Sequence, residues 1–152
     1  INVETPCTDQ HGRRYKTQVF LSSNSGDMQS GYTLGRLFRK YDVFTNITTN
    51  QTCASACATA FLGGTSRSMH SSTAKLLFHT PYPRWYWNNS SHNSRERSCR
   101  KEDRVNDLWD YFSEMLDHET AVRLFRQTVR YCSSRDGWEL NKDAAHMFGL
   151  LN

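Results

Sequence analysis

The sequence predicts an α/β fold with mostly parallel strands. Short apolar or β-branched runs alternate with stretches of helical spacing, turns of small residues separate them, and no internal repeat or interdomain linker breaks the order. At 152 residues and 17.7 kDa, residues 1–152 read as a single domain.

Residues 1–14 read as irregular and polar, and 16–21 as a strand entering the core. Small residues at 22–27 form a turn. Leu34, Leu37, Phe38 and Tyr41 fall at i, i+3, i+4 and i+7, one face of a helix. Val43, Thr45 and Ile47 alternate along a β-branched strand within 42–49. Residues 54–62 read as a small, apolar, buried helix stopped by Gly63-Gly64, and 66–73 as a polar loop. Residues 74–79 make a short buried strand that Pro81 and Pro83 end. Residues 80–104 form a long polar insertion or loop carrying Trp85, Tyr86 and Trp87. Val105, Leu108, Trp109, Phe112 and Leu116 share helical spacing, and Val122, Phe125 and Val129 mark a second helix. Residues 138–140 read as a strand, with Asp143 opening a last helix through Ala144, Ala145 and Phe148.

Composition narrows the function. The chain is polar, with mean hydropathy −0.75 and net charge +4 from 19 basic and 15 acidic residues. The basic residues are scattered and diluted by acids, which argues against a nucleic-acid binder. No apolar run approaches the ~18 residues of a membrane span.

The five cysteines, Cys7, Cys53, Cys57, Cys99 and Cys132, form no CxxC pair, so a zinc finger is not expected. In a small polar chain they suggest an oxidising compartment and one or two disulfides, the alternative being buried free thiols in a cytosolic protein. Cys53 and Cys57 either bridge each other or pair elsewhere, and the spacing does not choose between these. A catalytic cysteine is a lesser reading. Ile1 in place of a start methionine fits a processed or trimmed chain. Asn46, Asn50, Asn88 and Asn89 match the glycosylation sequon, a pattern that also arises by chance.

Chemistry concentrates at three places. Ser25-Gly26-Asp27 is a strand-to-helix turn where backbone N–H groups can face an anion. Thr52-Cys-Ala-Ser-Ala-Cys-Ala58 sets Ser55 at the start of a buried helix, as a nucleophile or as a plain helix cap. His79 ends a buried strand, where sites of parallel sheets gather, or is a hydrogen-bonded structural histidine. His11, His70, His92, His118 and His146 show no metal-ligand spacing, and no metal or organic cofactor is implied.

Taken in order, the small-residue turn, the Cys-Ala-Ser-Ala-Cys helix ending in Gly-Gly and the strand ending His-Thr-Pro resemble the ClpP/crotonase superfamily. They are most similar to secreted or periplasmic ClpP-like serine peptidases whose serine lies between two cysteines. The resemblance covers about residues 15–82 well and 134–152 weakly. It implies a repeated β-β-α spiral with flanking helices, Ser55 as nucleophile, His79 as general base and Asp136 as the third triad member. Asp143, Asp117 and Asp110 are weaker candidates for that third role. The N–H groups of Gly26 and Ala56 would form the oxyanion hole.

The sequence departs from the family where Ser25 replaces the first glycine of its turn and Ala56 a common methionine. Only about 25 residues precede the turn, so the family's first strand unit is expected to be missing, replaced or supplied by another chain. The expected activity is peptide hydrolysis in a periplasmic or secreted setting, on a peptide or protein substrate, with a homo-oligomer possible and no basis for an unfoldase partner. The alternatives are a non-catalytic binding or assembly module on the same fold and crotonase-type acyl-CoA chemistry. The latter lacks any adenine- or phosphate-binding pattern here.

Overall fold

The structure is a computed structural model that describes residues 7–81, 104–131 and 137–152. It is mixed α/β. Strands β1 (Cys7–Thr8) and β2 (Arg14–Tyr15) pair antiparallel, where the sequence reads as irregular. The Asp9 carboxylate accepts the His11 and Arg13 N–H groups, and Gly12 at φ 74° turns the chain back. This side-chain-built turn leaves no apolar pattern to read.

Strands β3 (Gln18–Phe20) and β4 (Phe44–Ile47) come next in the expected places. Between them runs helix α1 (Met28–Lys40), capped by the Asp27 carboxylate. Strand β5 (Thr52–Ala54) leads directly into helix α2 (Ala56–Leu62). Then come β6 (Ser66–Met69) and β7 (Lys75–Phe78). Helices α3 (Arg104–Met115) and α4 (His118–Thr128) precede β8 (Trp138–Leu140) and α5 (Lys142–Phe148). Of the two three-stranded sheets, β3-β4-β6 is wholly parallel, and in β5-β7-β8 strand β5 runs parallel to β7 and β8 antiparallel. The main core gathers Ile47, Phe61, Leu76, Phe78, Phe112 and Leu124, with Cys53 and Cys57 among them.

Strand β6 replaces the expected polar loop at 66–73. Its side chains alternate in burial, and the inward one at Arg67 is charged. The Arg67 guanidinium donates to the carbonyls of Leu150 (2.6 Å) and Gly64 (3.0 Å), so a residue that reads as solvent-facing is 7% exposed. Strand β5 lies hidden inside what reads as the approach to a helix. Asn141, not Asp143, caps α5, its side chain accepting from Ala144 N. Asn46 is 1% exposed and accepts from Ser68 Oγ, so this sequon is closed to a glycan in the folded chain.

Helix α1 also turns a different face inward. Leu34, Leu37 and Tyr41 are exposed, and the buried residues are Gly31, Tyr32, Gly35 and Phe38. The cause is the approach of α1 to α2. A Cβ on Gly31 would lie 2.7 Å from both Ala56 O and Thr59 Oγ1, and one on Gly35 would overlap the Tyr111 hydroxyl. In α4 the buried face is likewise Thr120, Ala121, Leu124 and Thr128, while Val122, Phe125 and Val129 are half-buried.

Gly63 ends α2 as expected, but at φ −68° it is not a left-handed cap. It is glycine because a Cβ there would overlap the backbone of Gly35. Backbone yields less than a side-chain tip, so Gly63→Ala should cost about 1–3 kcal/mol or more, read as a lower urea midpoint at unchanged m. The exposed Gly12→Ala, at a left-handed φ with open space around it, should cost less, about 1 kcal/mol.

Candidate active site

Ser55 is the residue between β5 and α2. Its backbone sits at φ 59°, ψ −120°, a region L-residues rarely occupy. Three bonds hold the chain on either side of that kink. Ser55 N–H donates to Leu77 O (2.9 Å), Ala54 N–H to Ser23 O (2.8 Å), and Thr59 N–H to Ser55 O (3.1 Å). The side chain makes no capping hydrogen bond, so the plain-cap role is not the one adopted. Instead the hydroxyl donates to the Met28 thioether, with Oγ 3.6 Å from Sδ. Ser55 is 7% exposed.

Pairing brings His79 to the same end of the sheet. In the β5–β7 ladder Ala54 lies opposite Leu77, so Ser55 follows β5 level with Phe78, and His79 follows β7 one residue further at the same end. The buried His79 ring has Nδ1 3.0 Å from the Thr80 carbonyl. A carbonyl only accepts, so Nδ1 carries the proton in this bond and Nε2 is the basic nitrogen of the neutral ring. Thr80 is itself anchored: its N–H donates to Tyr131 O (2.7 Å) and its hydroxyl to Thr128 O (3.3 Å), at the end of α4. Burial pulls the imidazolium below the ordinary histidine range, and the Thr80 carbonyl opposes this in part.

The turn before α1 reaches the same place. A Cβ on Gly26 would lie 3.0 Å from the Ala56 Cβ, so the two expected oxyanion donors are neighbours. Gly26 is glycine for that closeness, not for a positive φ. Ser25 also avoids positive φ; the Ser23 hydroxyl bonds Ser25 O at 2.7 Å and stabilises a turn without the family's first glycine. Ala56 opens α2, so its N–H has no acceptor within the helix.

Cys53 and Cys57 are joined by a disulfide, Cα to Cα 5.1 Å. Of the alternatives left open by spacing this is the one formed, and neither sulfur is then a thiolate nucleophile. Strand β1 contains Cys7, while Cys99 and Cys132 lie outside the described residues. So do Asp136, the Trp85-Tyr86-Trp87 run, Asn88 and Asn89. Among the weaker third-member candidates, Asp117 is committed to capping α4, its carboxylate held low by the Thr120 N–H. Asp110 and Asp143 sit at exposed helix positions. Met28 and Thr80 are site residues that the sequence did not single out. Only their places beside Gly26 and His79 could have signalled them.

Among the described residues no three His, Cys, Asp or Glu side chains gather as metal ligands, and no helix is long and apolar enough to cross a membrane. No protein-family model matches the chain, and a search of curated proteins finds no match.

The depressed His79 pKa has a stability consequence. The unfolded chain binds this proton more readily than the folded one, so stability is full above about pH 6.5 and falls as pH drops toward the folded pKa. His79→Gln should remove that part of the slope. Thermal melts from about pH 7.5 to 5 should therefore show a shallower fall in Tm for the variant, and parallel curves would refute it.

Proposed function

We propose that this chain is a serine hydrolase with the repeated β-β-α spiral of the ClpP/crotonase superfamily, acting as a ClpP-like peptidase in an extracytoplasmic compartment. The observation that carries the proposal is the backbone of Ser55. A buried serine held at φ 59°, ψ −120° without capping its helix bears a conformational cost of about 1–3 kcal/mol, which a purely structural serine has no reason to incur. The parallel strand ending in His79 and the contact of Gly26 with Ala56 support the same reading. The buried Cys53–Cys57 disulfide is consistent with an oxidising compartment.

In this reading the Ser55 hydroxyl leaves Met28, gives its proton to His79 Nε2 and attacks the scissile carbonyl. His79 returns the proton to the leaving amine, and water then repeats the sequence on the acyl-enzyme. The N–H groups of Gly26 and Ala56 take the oxyanion. The Thr80 carbonyl holds the Nδ1 proton and so the tautomer, in the place a triad carboxylate would take; Asp136 as the proposed third member would stabilise the imidazolium by its charge. The substrate is a peptide or protein segment, and no cofactor takes part.

A second reading, a non-catalytic binding or assembly module, is favoured by the Ser55–Met28 bond, which engages the hydroxyl. A fluorophosphonate probe with mapping of the adduct separates the two. The hydrolase reading expects labelling at Ser55, abolished in Ser55→Ala and slowed about a thousandfold or more in His79→Ala with the fold intact. Absence of labelling in folded, oxidised protein favours the module. Gly26→Ala should lower peptidase kcat about a hundredfold by crowding the oxyanion position. The acid limb of the labelling rate should lie below the ordinary histidine pKa of about 6.5, because burial keeps His79 neutral to lower pH.

A further inference from the structure

Ser55 has two local conformations open to it. In the first, an extended φ lets the hydroxyl cap α2 by accepting the N–H of the second or third helical residue, here Cys57 or Ala58. In the second, seen here, φ is positive and the hydroxyl is withheld from the helix. Serine is a favoured cap, so an unconstrained chain of this sequence prefers the first. Something must hold the second.

The hydrogen bonds of the site hold both ends of Ser55, its N–H donating to Leu77 O and its carbonyl accepting from Thr59 N–H. The second is the first bond of the helix, which a capping Ser55 would accept as well, so it does not choose between the two conformations, and the first fixes one end only. The Cys53–Cys57 disulfide is different. It joins the residue two before Ser55 to the residue two after, across a sequence separation of four. It therefore closes a small ring with Ser55 at its apex and limits how far the flanking Cα atoms can separate. Both cysteines are buried in the main core, so the ring is also anchored from below.

We propose that Cys53 and Cys57 are positioning residues: their disulfide holds Ser55 in the nucleophile conformation, and without it Ser55 settles as the cap of α2. The effect on Ser55 conformation stands on geometry alone, and the effect on reactivity rests on the hydrolase reading above.

The test compares wild-type protein with the double variant Cys53→Ala/Cys57→Ala, which leaves Cys7, Cys99 and Cys132 in place. Two readouts are taken on each: the Cα and Cβ chemical shifts of Ser55 in carbon-labelled protein, and the fluorophosphonate labelling rate. The expected result is a change of the Ser55 shifts from positive-φ to extended values, with slower hydrogen exchange at the backbone N–H of position 57 or of Ala58. Labelling falls about a hundredfold, as displacement of a nucleophile by about 1 Å would produce, while the far-ultraviolet circular dichroism is kept. Unchanged Ser55 shifts in the folded double variant overturn the proposal, whatever the labelling does. Changed shifts with undiminished labelling overturn its effect on reactivity. If wild type is never labelled, the hydrolase reading fails and the shifts alone decide the clamp. Should the double variant not fold, wild type reduced with a phosphine, its free Cys53 and Cys57 verified by alkylation and mass spectrometry, is read in the same way.

Discussion

The close approach of α1 to α2 is the constraint on which the rest of the site depends. Gly31 and Gly35 on α1 and Gly63 beyond α2 remove the side chains that would hold the helices apart. Tyr111 from α3 then fills the space above Gly35, its hydroxyl donating to Thr59 O at 2.6 Å, and it packs on Tyr32. Because α1 lies this near, the turn that precedes it reaches the start of α2. Gly26 meets Ala56, and Met28 meets Ser55. A helix pair at ordinary separation, about 8–10 Å between axes with side chains interleaved, would leave those two turns apart.

The far end of α2 is held by charge. Arg39 from α1 donates to the carbonyls of Leu62, Gly63 and Met115, and Arg67 from β6 to those of Leu150 and Gly64. Two cations thus meet the carbonyls that the helix leaves without partners, which also suits the negative end of its dipole. Burial, with the Arg39 charge second, brings Arg67 down to about 10, so it stays charged at neutral pH. Backbone carbonyls solvate it, and the bond from Asn152 N–H to Arg67 O ties the C-terminal segment to the same point. Removing either guanidinium would leave several buried carbonyls short of a donor, which is why a polar strand sits in this core.

Much of this was legible in the sequence, for identifiable reasons. Strands β3, β4, β7 and β8 and helices α1 to α5 follow from apolar periodicity and turn residues, which are local signals. What was not legible depends on distant partners. Arg67 reads as solvent-facing until Leu150, 83 positions on, supplies its carbonyl. The inward face of α1 is Gly31, Tyr32, Gly35 and Phe38; its two glycines are silent in a hydrophobic pattern, so of the residues that read as the buried face only Phe38 lies inside, while Leu34, Leu37 and Tyr41 are exposed. Strand β5 is three residues long and runs straight into a helix. At the site, Gly26, Ser55 and His79 stand out in the sequence as residue types at strand ends and turns, and Ala56 only through the family resemblance. The bond to Met28 and the anchoring of Thr80 needed the third dimension.

The two roles that the sequence offers Ser55 are therefore not equivalent in what they require of the fold. A cap needs only its own helix. In the conformation adopted here β7 beside β5 receives the Ser55 N–H, Ser23 receives the Ala54 N–H, and a covalent link joins Cys53 to Cys57. His79 shows the same dependence, since its tautomer is set by a carbonyl that is positioned in turn by the end of α4. Each group that would react is thus fixed by an element other than its own. In the hydrolase reading proposed above, preorganisation of that kind would orient the nucleophile and the base before any substrate arrives.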